Sequence, residues 1–439
     1  MQPASKKTQI VVVGGGAGGL ELVRKLGARY GRERHDIILV ERNRTHIWKP
    51  LLHEVAAGSL DANMDEVGYG GHGARWGYRF FHGSLQDIDR ESGHIITAPL
   101  LDPEGREVIG QHRIRYDYLI LAVGGVSNDF NTPGVREHGM FLENREQADA
   151  FRERLLYACL RASHLAEVDG ADAKVEVCIV GGGATGVELA AELYNAAAAL
   201  KNYGLEVFDE SRLKVTLLEA GPRILPALPE TLADAARQEL EALGVAVKTD
   251  TMVTRMDQSH VHTKDGQAIP AQLKVWAAGV KAPEFLNGLG GLETNRNNQV
   301  LVRPTLQSTV DDRIFAIGDC ASCTLPGMER PVPPRAQSAH QMAAATFDNL
   351  HRIQSGQPLK PFVYRDRGSL VSLSRFSTVG SLMGNLVGGR MAVEGRLARI
   401  AYVSLYRLHL LAIHGTVRGT AMVLVGHVNN IIRPKLKLH

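Results

Sequence analysis

Cysteine is scarce. Cys159, Cys178, Cys320 and Cys323 are the only four in 439 residues, too few to staple a chain of this length, so a disulfide framework is excluded and a reducing compartment is expected. Long apolar runs are lacking too: nowhere do about 18 uncharged apolar residues follow one another, which argues against a membrane-spanning helix. Nor is there an excess of charge. A balance of 50 basic against 47 acidic residues leaves +3, too mild to recruit nucleic acid, and none is expected as a partner. The polar stretch Met1–Lys7 runs straight into Ile10–Val13, leaving no room for a signal peptide, so no cleaved export signal is expected. Metal spacing is absent as well. The 17 histidines form no H-E-x-x-H pattern, and the lone C-x-x-C of Cys320 and Cys323 has no second pair to complete a zinc site, so no metal is expected and a structural role for that pair is. What remains is 44% hydrophobic and 22% charged, the balance of an ordinary globular chain with core enough for two or three domains.

Glycine is what the chain has in the right places. Gly14, Gly16 and Gly19 follow the apolar run Ile10–Val13 and open a helical pattern, with a second apolar run, HDIILVE, ending in Glu41. This G-x-G-x-x-G suits a tight turn, close approach of backbone to a pyrophosphate and close helix–strand packing, in that order. The phosphates would meet the free N–H groups of the helix start, and Glu41 would accept from a ribose diol. Gly181, Gly183 and Gly186 repeat the pattern after VEVCIV, and Glu219 closes LKVTLLE. A carboxylate there favours NADH over NADPH because it repels a 2′-phosphate, although Arg223 lies close enough in sequence to soften that repulsion.

Two such units predict an α/β protein with two Rossmann-like dinucleotide-binding domains and a distinct C-terminal helical segment. The buried-strand runs Tyr116–Gly125 and Ile314–Ala321 belong with the first sheet and Leu273–Val280 with the second. The expected boundaries are residues 1–142 and 293–364 for the first domain, 143–292 for the second, and 365–439 for the C-terminal region. Asp319, in the turn after IFAIG, is either a plain turn residue or a ligand to a ribityl chain. Glu188, expected in the first turn of the second loop's helix, is either a helix-end stabiliser or a site residue. Gln337 and Gln341, spaced i and i+4, share one helix face and could offer their amides to a carbonyl.

From Gly395 to His439 there is no acidic residue, against Arg396, Arg399, Arg407, Arg418, Arg433, Lys435 and Lys437. At about 100° per residue Arg396, Arg399, Arg407 and His414 share one face, with Leu397, Ala401, Leu405, Leu408, Ala412 and Ile413 around the other sides. A helix of this kind can lie in the headgroup layer of an anionic lipid surface. A second copy of the chain, as in a homodimer, is the other partner these apolar residues could meet.

The two loops together with Val123–Gly125, Trp276–Gly279 and AIGDCA resemble the two-dinucleotide flavoprotein reductases. KPLLHEVAAGSL (Lys49–Leu60), PPRAQSAHQM (Pro333–Met342) and GSLVSLSRFSTVGSLMG (Gly368–Gly384) narrow the resemblance to the type II NADH:quinone oxidoreductases, single-subunit respiratory NADH dehydrogenases that pump no ions. It covers essentially the whole chain and is close to the enterobacterial member. The resemblance implies non-covalent FAD on Gly14, Gly16, Ala17, Gly18, Gly19, Glu41, Pro50, Ala122, Gly124 and Asp319. It implies NADH on Gly183, Thr185, Gly186, Glu219, Ala278 and Gly279, with Glu188 near the nicotinamide and flavin. Gln337, with Gln341 a turn further on, would line a quinone tunnel.

The resemblance also implies hydride transfer from NADH to flavin, then two electrons to a membrane quinone, at the cytoplasmic face of the bacterial inner membrane as a peripheral protein. One departure is visible: His53 in Leu51-Leu52-His53-Glu54 stands where many relatives carry proline, which puts the local backbone in question. A disulfide reductase would need a cysteine pair soon after the first loop, and none is there. A sulfide:quinone oxidoreductase would need reactive cysteines, and a flavin-bound redox sensor would lack turnover.

Overall fold

A computed structural model describes residues 7–200, 210–373, 377–384, 389–394 and 406–432. The chain forms two compact units, Met1–Ile47, Glu66–Val126 and Val280–Asp366 in the first, Trp48–Asp65, Ser127–Gly279 and Arg367–His439 in the second.

The first unit is built on a five-stranded parallel sheet in the order Ile314–Ala316, Tyr118–Leu121, Thr8–Val13, His35–Glu41, Arg79–His82. Thr8–Val13 lies in the middle, with Ile10 opposite Tyr118 on one side and Ile37 on the other. Strands covered on both faces need apolar residues in both directions. The runs Ile10–Val13, Ile37–Val40, Leu119–Leu121 and Ile314–Ala316 are accordingly buried throughout. A three-stranded antiparallel sheet, Leu85–Asp89, His94–Thr97 and His112–Arg115, interrupts the chain before the Tyr118 strand.

The second unit repeats the plan. Its four-stranded parallel sheet runs Ala246–Lys248, Leu213–Leu218, Val175–Val180, Leu273–Trp276, and an antiparallel insert, Val253–Met256, His260–Thr263 and Ala268–Pro270, again precedes the last strand. The long helix Arg145–Asp169 starts where the Asn144 side chain accepts from the Gln147 N–H at 2.9 Å and ends at Gly170, φ 61°. Both are the expected punctuation, a side-chain acceptor for an orphan N–H and a left-handed glycine at the end.

The compact units depart from the sequence-derived boundaries in three ways. A short excursion, residues 48–65, leaves the first unit and packs with the second. The switches between units fall at 126/127 and 279/280, a few residues after the strands Tyr118–Leu121 and Leu273–Trp276. The residues after 366 form no third unit. Strands Gly368–Leu373, Ser377–Gly384 and Gly389–Glu394 make an antiparallel sheet, and helical residues 406–414 pack on Trp48 of the excursion, with the His409 and Trp48 ring centroids 3.7 Å apart. That contact decides the helix's orientation. Its buried positions are His409, Leu410 and Ile413, while Leu408, expected on an apolar side, is 54% exposed beside Arg407. Gly415, φ 75°, breaks it from the next helix, Thr416–Ile432. Arg396, Leu397, Arg399, Ala401, Leu405, Arg433, Lys435 and Lys437 lie outside the described residues. Among the described residues no helix is long and apolar enough to cross a membrane.

In the first unit the helix Ala17–Arg34 crosses close to the end of helix Tyr69–Trp76. A Cβ at Gly27 would stand 2.0 Å from the Trp76 carbonyl oxygen. Gly27→Ala should therefore cost about 2 kcal/mol by forcing the helices apart, read as a lower denaturation midpoint; an unchanged midpoint would show that the two helices separate freely.

Candidate functional site

The first glycine loop joins Thr8–Val13 to the helix Ala17–Arg34. Gly14 has φ +104°, and a Cβ on it would lie 2.3 Å from the Ala122 carbonyl oxygen. A Cβ on Gly19 would lie 1.9 Å from the Gly14 carbonyl oxygen, whereas a Cβ on Gly16 would meet nothing within 4 Å. The three glycines thus divide their work as the spacing predicts: left-handed turn, open approach, tight packing. Gly16 is the helix N-cap without any side-chain hydrogen bond, and the first turn carries no acid. Its N–H groups and positive dipole end are therefore available to an anion. Gly18 faces the backbone of Ala339, 3.0 Å from where a Cβ would be.

Glu41 closes the loop from below. Its Oε2 accepts from the Gly15 N–H at 2.7 Å and its Oε1 from the Asn43 N–H at 3.0 Å; each oxygen keeps a lone pair for a ribose hydroxyl. Ala122, buried, crosses over the turn and donates its N–H to Val13 at 2.7 Å, and Gly124 follows in the left-handed region at φ +72°.

The second loop repeats this geometry. Gly181 has φ +115°, with a Cβ 2.7 Å from the Ala277 carbonyl carbon; Gly186 would clash at 2.0 Å with the Gly181 oxygen; Gly183 is open. Thr185 and Gly186 lie in the first turn of helix Ala184–Leu200. Glu219 Oε2 accepts from Gly182 and Oε1 from Gly221, both at 2.7 Å. Ala278 and Gly279, φ +70°, occupy the place that Val123 and Gly124 hold in the first unit. Arg223 turns its guanidinium to the Leu228 and Pro226 carbonyls at 3.2 and 3.3 Å. The residues of both loops thus fit a dinucleotide: each offers an open glycine backbone at a helix start, flanked by two glycines at which a Cβ would collide with neighbouring backbone.

Asp319 sits in the turn Gly318–Cys320, next to the first loop's crossover strand, where Gln299 Nε2 donates to its backbone carbonyl at 2.9 Å. The turn is pinned to helix Ala336–Gln354 by the Gly318 N–H, 3.2 Å from Met342 Sδ. Gln337 and Gln341 lie on the first turns of that helix, as expected. Gln337 Nε2 donates to Asp366 Oδ1 at 3.2 Å. Gln341 is held at both ends of its amide by residue 365, donating to the carbonyl and accepting from the N–H, each at 2.9 Å. All four cysteines are buried as free thiols. Burial pushes Cys320 and Cys323 up to about 11, so neither is a ready thiolate.

Glu188 is placed differently from expectation. Helix Ala184–Leu200 has no acid in its first turn; Glu188 comes one turn later and is buried, which leaves helix-end stabilisation a weak reason for it. Its Oε1 accepts from the Ser372 N–H at 3.1 Å, and its Oε2 lies 3.6 Å from His53 Nδ1. Glu192, one further turn on and also buried, accepts from Asn195 Nδ2 at 2.7 Å. His53 itself is in the first turn of helix Leu52–Ala57, a position where a relative's proline would also fit, so the backbone is ordinary helix. Pro50 lies just before it in the turn Lys49–Leu51. Glu192, His46, Tyr69 and Leu225 are the site residues that motif reading missed. They belong to no spaced pattern, and only the folded chain brings His46 and Tyr69 to Gly15, Leu225 to Gly182 and Glu192 towards His53.

A family model of pyridine nucleotide-disulphide oxidoreductases matches residues 8–343. The type II NADH:quinone oxidoreductase of Haemophilus influenzae is 46% identical, covering 98% of this chain and 99% of that protein. That of Staphylococcus aureus is 30% identical, covering 89% and 93%. Among solved structures, NDH2 from Plasmodium falciparum in complex with NADH superposes with a TM-score of 0.81 at 19% identity over 98% of this chain and 100% of that one. The sulfide:quinone oxidoreductase of Aquifex aeolicus gives 0.69 at 18% over 93% and 92%. At such identities these two likenesses attest the fold alone.

Burial pushes the His53 imidazole down to about 4, against smaller upward pulls from Glu192 and a hydrogen bond to the Pro50 backbone. An unfolded chain takes up that proton near pH 6.5. Between those values the unfolded state binds the extra proton, so stability falls as the pH drops from about 6.5 to about 4, by about 3 kcal/mol. His53→Gln should flatten that acid slope in denaturant titrations; a slope as steep as the parent's would place the acid sensitivity elsewhere.

Proposed function

The chain belongs to the type II NADH:quinone oxidoreductase family, and from that premise we propose that it oxidises NADH through a non-covalently held FAD and delivers the electrons to a membrane quinone without pumping ions. The observation that carries this reading is the duplicated loop, two dinucleotide cradles of the same geometry in one chain. One would serve a resident cofactor and the other a donor that comes and goes.

In this reading Gly14, Gly16, Ala17, Gly18 and Gly19 hold the FAD pyrophosphate, Glu41 its ribose, and Pro50, Ala122, Gly124 and Asp319 the rest of the molecule. Gly183, Thr185 and Gly186 hold the NADH pyrophosphate, with Ala278 and Gly279 alongside. Glu219 takes the ribose diol and would repel a 2′-phosphate, which favours NADH over NADPH, while Arg223 turns two of its donors to the Leu228 and Pro226 carbonyls. When bound, the flavin supplies a two-electron relay, accepting a hydride from NADH and reducing the quinone. The protein aligns the partners and excludes water. In this reading Glu188, a buried carboxyl group, takes up and hands on a proton, and Gln337 offers its amide to a quinone carbonyl. Gln341 fixes the backbone at residue 365 beside it.

The C-terminal helix Thr416–Ile432 exposes Val417, Leu424 and Val425 together with Arg418. Such a surface suits the headgroup layer of an anionic membrane, on the cytoplasmic face of the bacterial inner membrane in this reading. A second copy of the chain could cover the same positions; an electron acceptor dissolved in lipid favours the membrane. A sulfide-oxidising role finds no support in buried cysteines with raised pKa values.

The purified protein should be yellow, bleach on anaerobic addition of NADH, and recover its absorbance on addition of a soluble quinone analogue. A colourless protein, or a chromophore indifferent to NADH, would sink the reading. Gln337→Ala should slow reoxidation by quinone about tenfold with bleaching by NADH little changed; equal loss of both steps would refute its placement. Removing residues 395–439 should leave the protein in the soluble fraction, and continued sedimentation with membranes would defeat the attachment.

A further inference from the structure

The first glycine loop is held by two side chains that no motif includes. The Gly15 carbonyl accepts from the Tyr69 hydroxyl at 2.7 Å and lies 2.9 Å from His46 Nδ1. A carbonyl oxygen only accepts, so His46 carries its proton on Nδ1, and both lone pairs of Gly15 are engaged. Tyr69 and His46 are 2% and 4% exposed, which removes water as a competitor for the carbonyl. The Tyr69 phenol stays protonated, because burial first and then the nearby Glu41 carboxylate and Tyr78 push its pKa well above the usual range.

A peptide group is planar and trans, so the Gly15 carbonyl and the Gly16 N–H share one plane and point in opposite directions. Fixing the carbonyl against Tyr69 and His46 therefore aims the Gly16 N–H the other way, on the residue whose side-chain direction is open space. The Gly15 N–H is fixed in turn by Glu41 at 2.7 Å. Gly15 must be glycine for the same reason, since a Cβ would stand 2.4 Å from the Tyr69 oxygen.

The second loop solves the same problem by other means. There the Gly182 carbonyl accepts from the Leu225 backbone N–H at 2.7 Å, and Leu225 adopts φ 49° to reach it. Two loops that both immobilise this one carbonyl, one with side chains and one with a backbone in an unfavoured conformation, point to the constraint itself as the functional element. His46 and Tyr69 also stand at a defined place in the chain. Thr45–His46 pairs antiparallel with Val67–Gly68, so the residues that clamp the loop flank the neck through which the 48–65 excursion leaves and returns.

We propose that His46 and Tyr69 are positioning residues for FAD, aiming the Gly16 N–H at the pyrophosphate by clamping the Gly15 carbonyl. This rests on the assignment of FAD to the first loop.

The test is the affinity of the full-length protein for FAD, read from the rise in flavin fluorescence as the holoprotein is diluted, in Tyr69→Phe, His46→Leu and His46→Asn. Tyr69→Phe and His46→Leu should each weaken FAD binding about tenfold. His46→Asn, whose amide restores an N–H donor at the Nδ1 position, should recover most of that loss. Affinity for NAD⁺, which the second loop would hold, should remain within about twofold in all three. FAD affinity equal to the parent's in both Tyr69→Phe and His46→Leu would overturn the proposal, as would equal weakening of FAD and NAD⁺, the mark of a general loss of structure. A parent protein that holds no FAD would instead overturn the assignment on which the proposal rests, and is recognised by its lack of colour before any variant is made.

Discussion

A parallel strand that hands its chain to a helix packed back against the same sheet must turn within three or four residues. In both units the turn is possible only because the first glycine takes a left-handed φ and the third brings helix backbone onto strand backbone, with no room for a Cβ at about 2 Å. Everything at the loops depends on that contact. It sets where the helix begins, and so where unpaired N–H groups and the positive end of the dipole stand. It also fixes the crossover strand, whose Ala122 or Ala277 backbone closes over the first glycine.

The duplication extends beyond the glycines. Each unit places a carboxylate at the end of its second strand, uses it to fix the N–H of the loop's second residue, and follows its crossover strand, Tyr118–Leu121 or Leu273–Trp276, with a left-handed glycine, Gly124 or Gly279. Where the units differ is in what fixes the loop's second carbonyl. Side chains in the first can reach it only because the neck before and after the excursion folds beside it, whereas a neighbouring turn suffices in the second. A permanently seated cofactor and an exchanging one make different demands on preorganisation, and the buried double clamp lies on the loop assigned to the resident one.

The second unit holds the other concentration of buried polar chemistry. Glu188 and Glu192 are one turn apart on the face of helix Ala184–Leu200 that meets His53, and Ser372 supplies a backbone N–H from the C-terminal sheet. Carboxylates kept from water are costly unless hydrogen-bonded, so their retention in a core needs a reason. The hydrogen bonds that Ser372 and Asn195 donate to them offset part of that cost. His53 is the neutral partner that burial enforces.

The sequence by itself determined the fold class, the two loops and the partner carboxylates Glu41 and Glu219, because those features are local: a few residues of strand, turn and helix whose backbone conformations follow from glycine spacing and apolar runs. It also placed the strands Tyr118–Leu121, Ile314–Ala316 and Leu273–Trp276 in their sheets, since strands buried on both faces are continuous apolar runs. Tertiary structure alone decided the rest. It sent residues 48–65 and the C-terminal segment into the second unit, because packing against Trp48 and Ser372 leaves no period in the sequence. It turned Leu408 outward, because the helix is oriented by His409 on Trp48 rather than by its own pattern. It brought His46 and Tyr69 to Gly15, 31 and 54 residues away, since a hydrogen bond to a loop carbonyl requires a donor at one point in space and imposes no spacing along the chain.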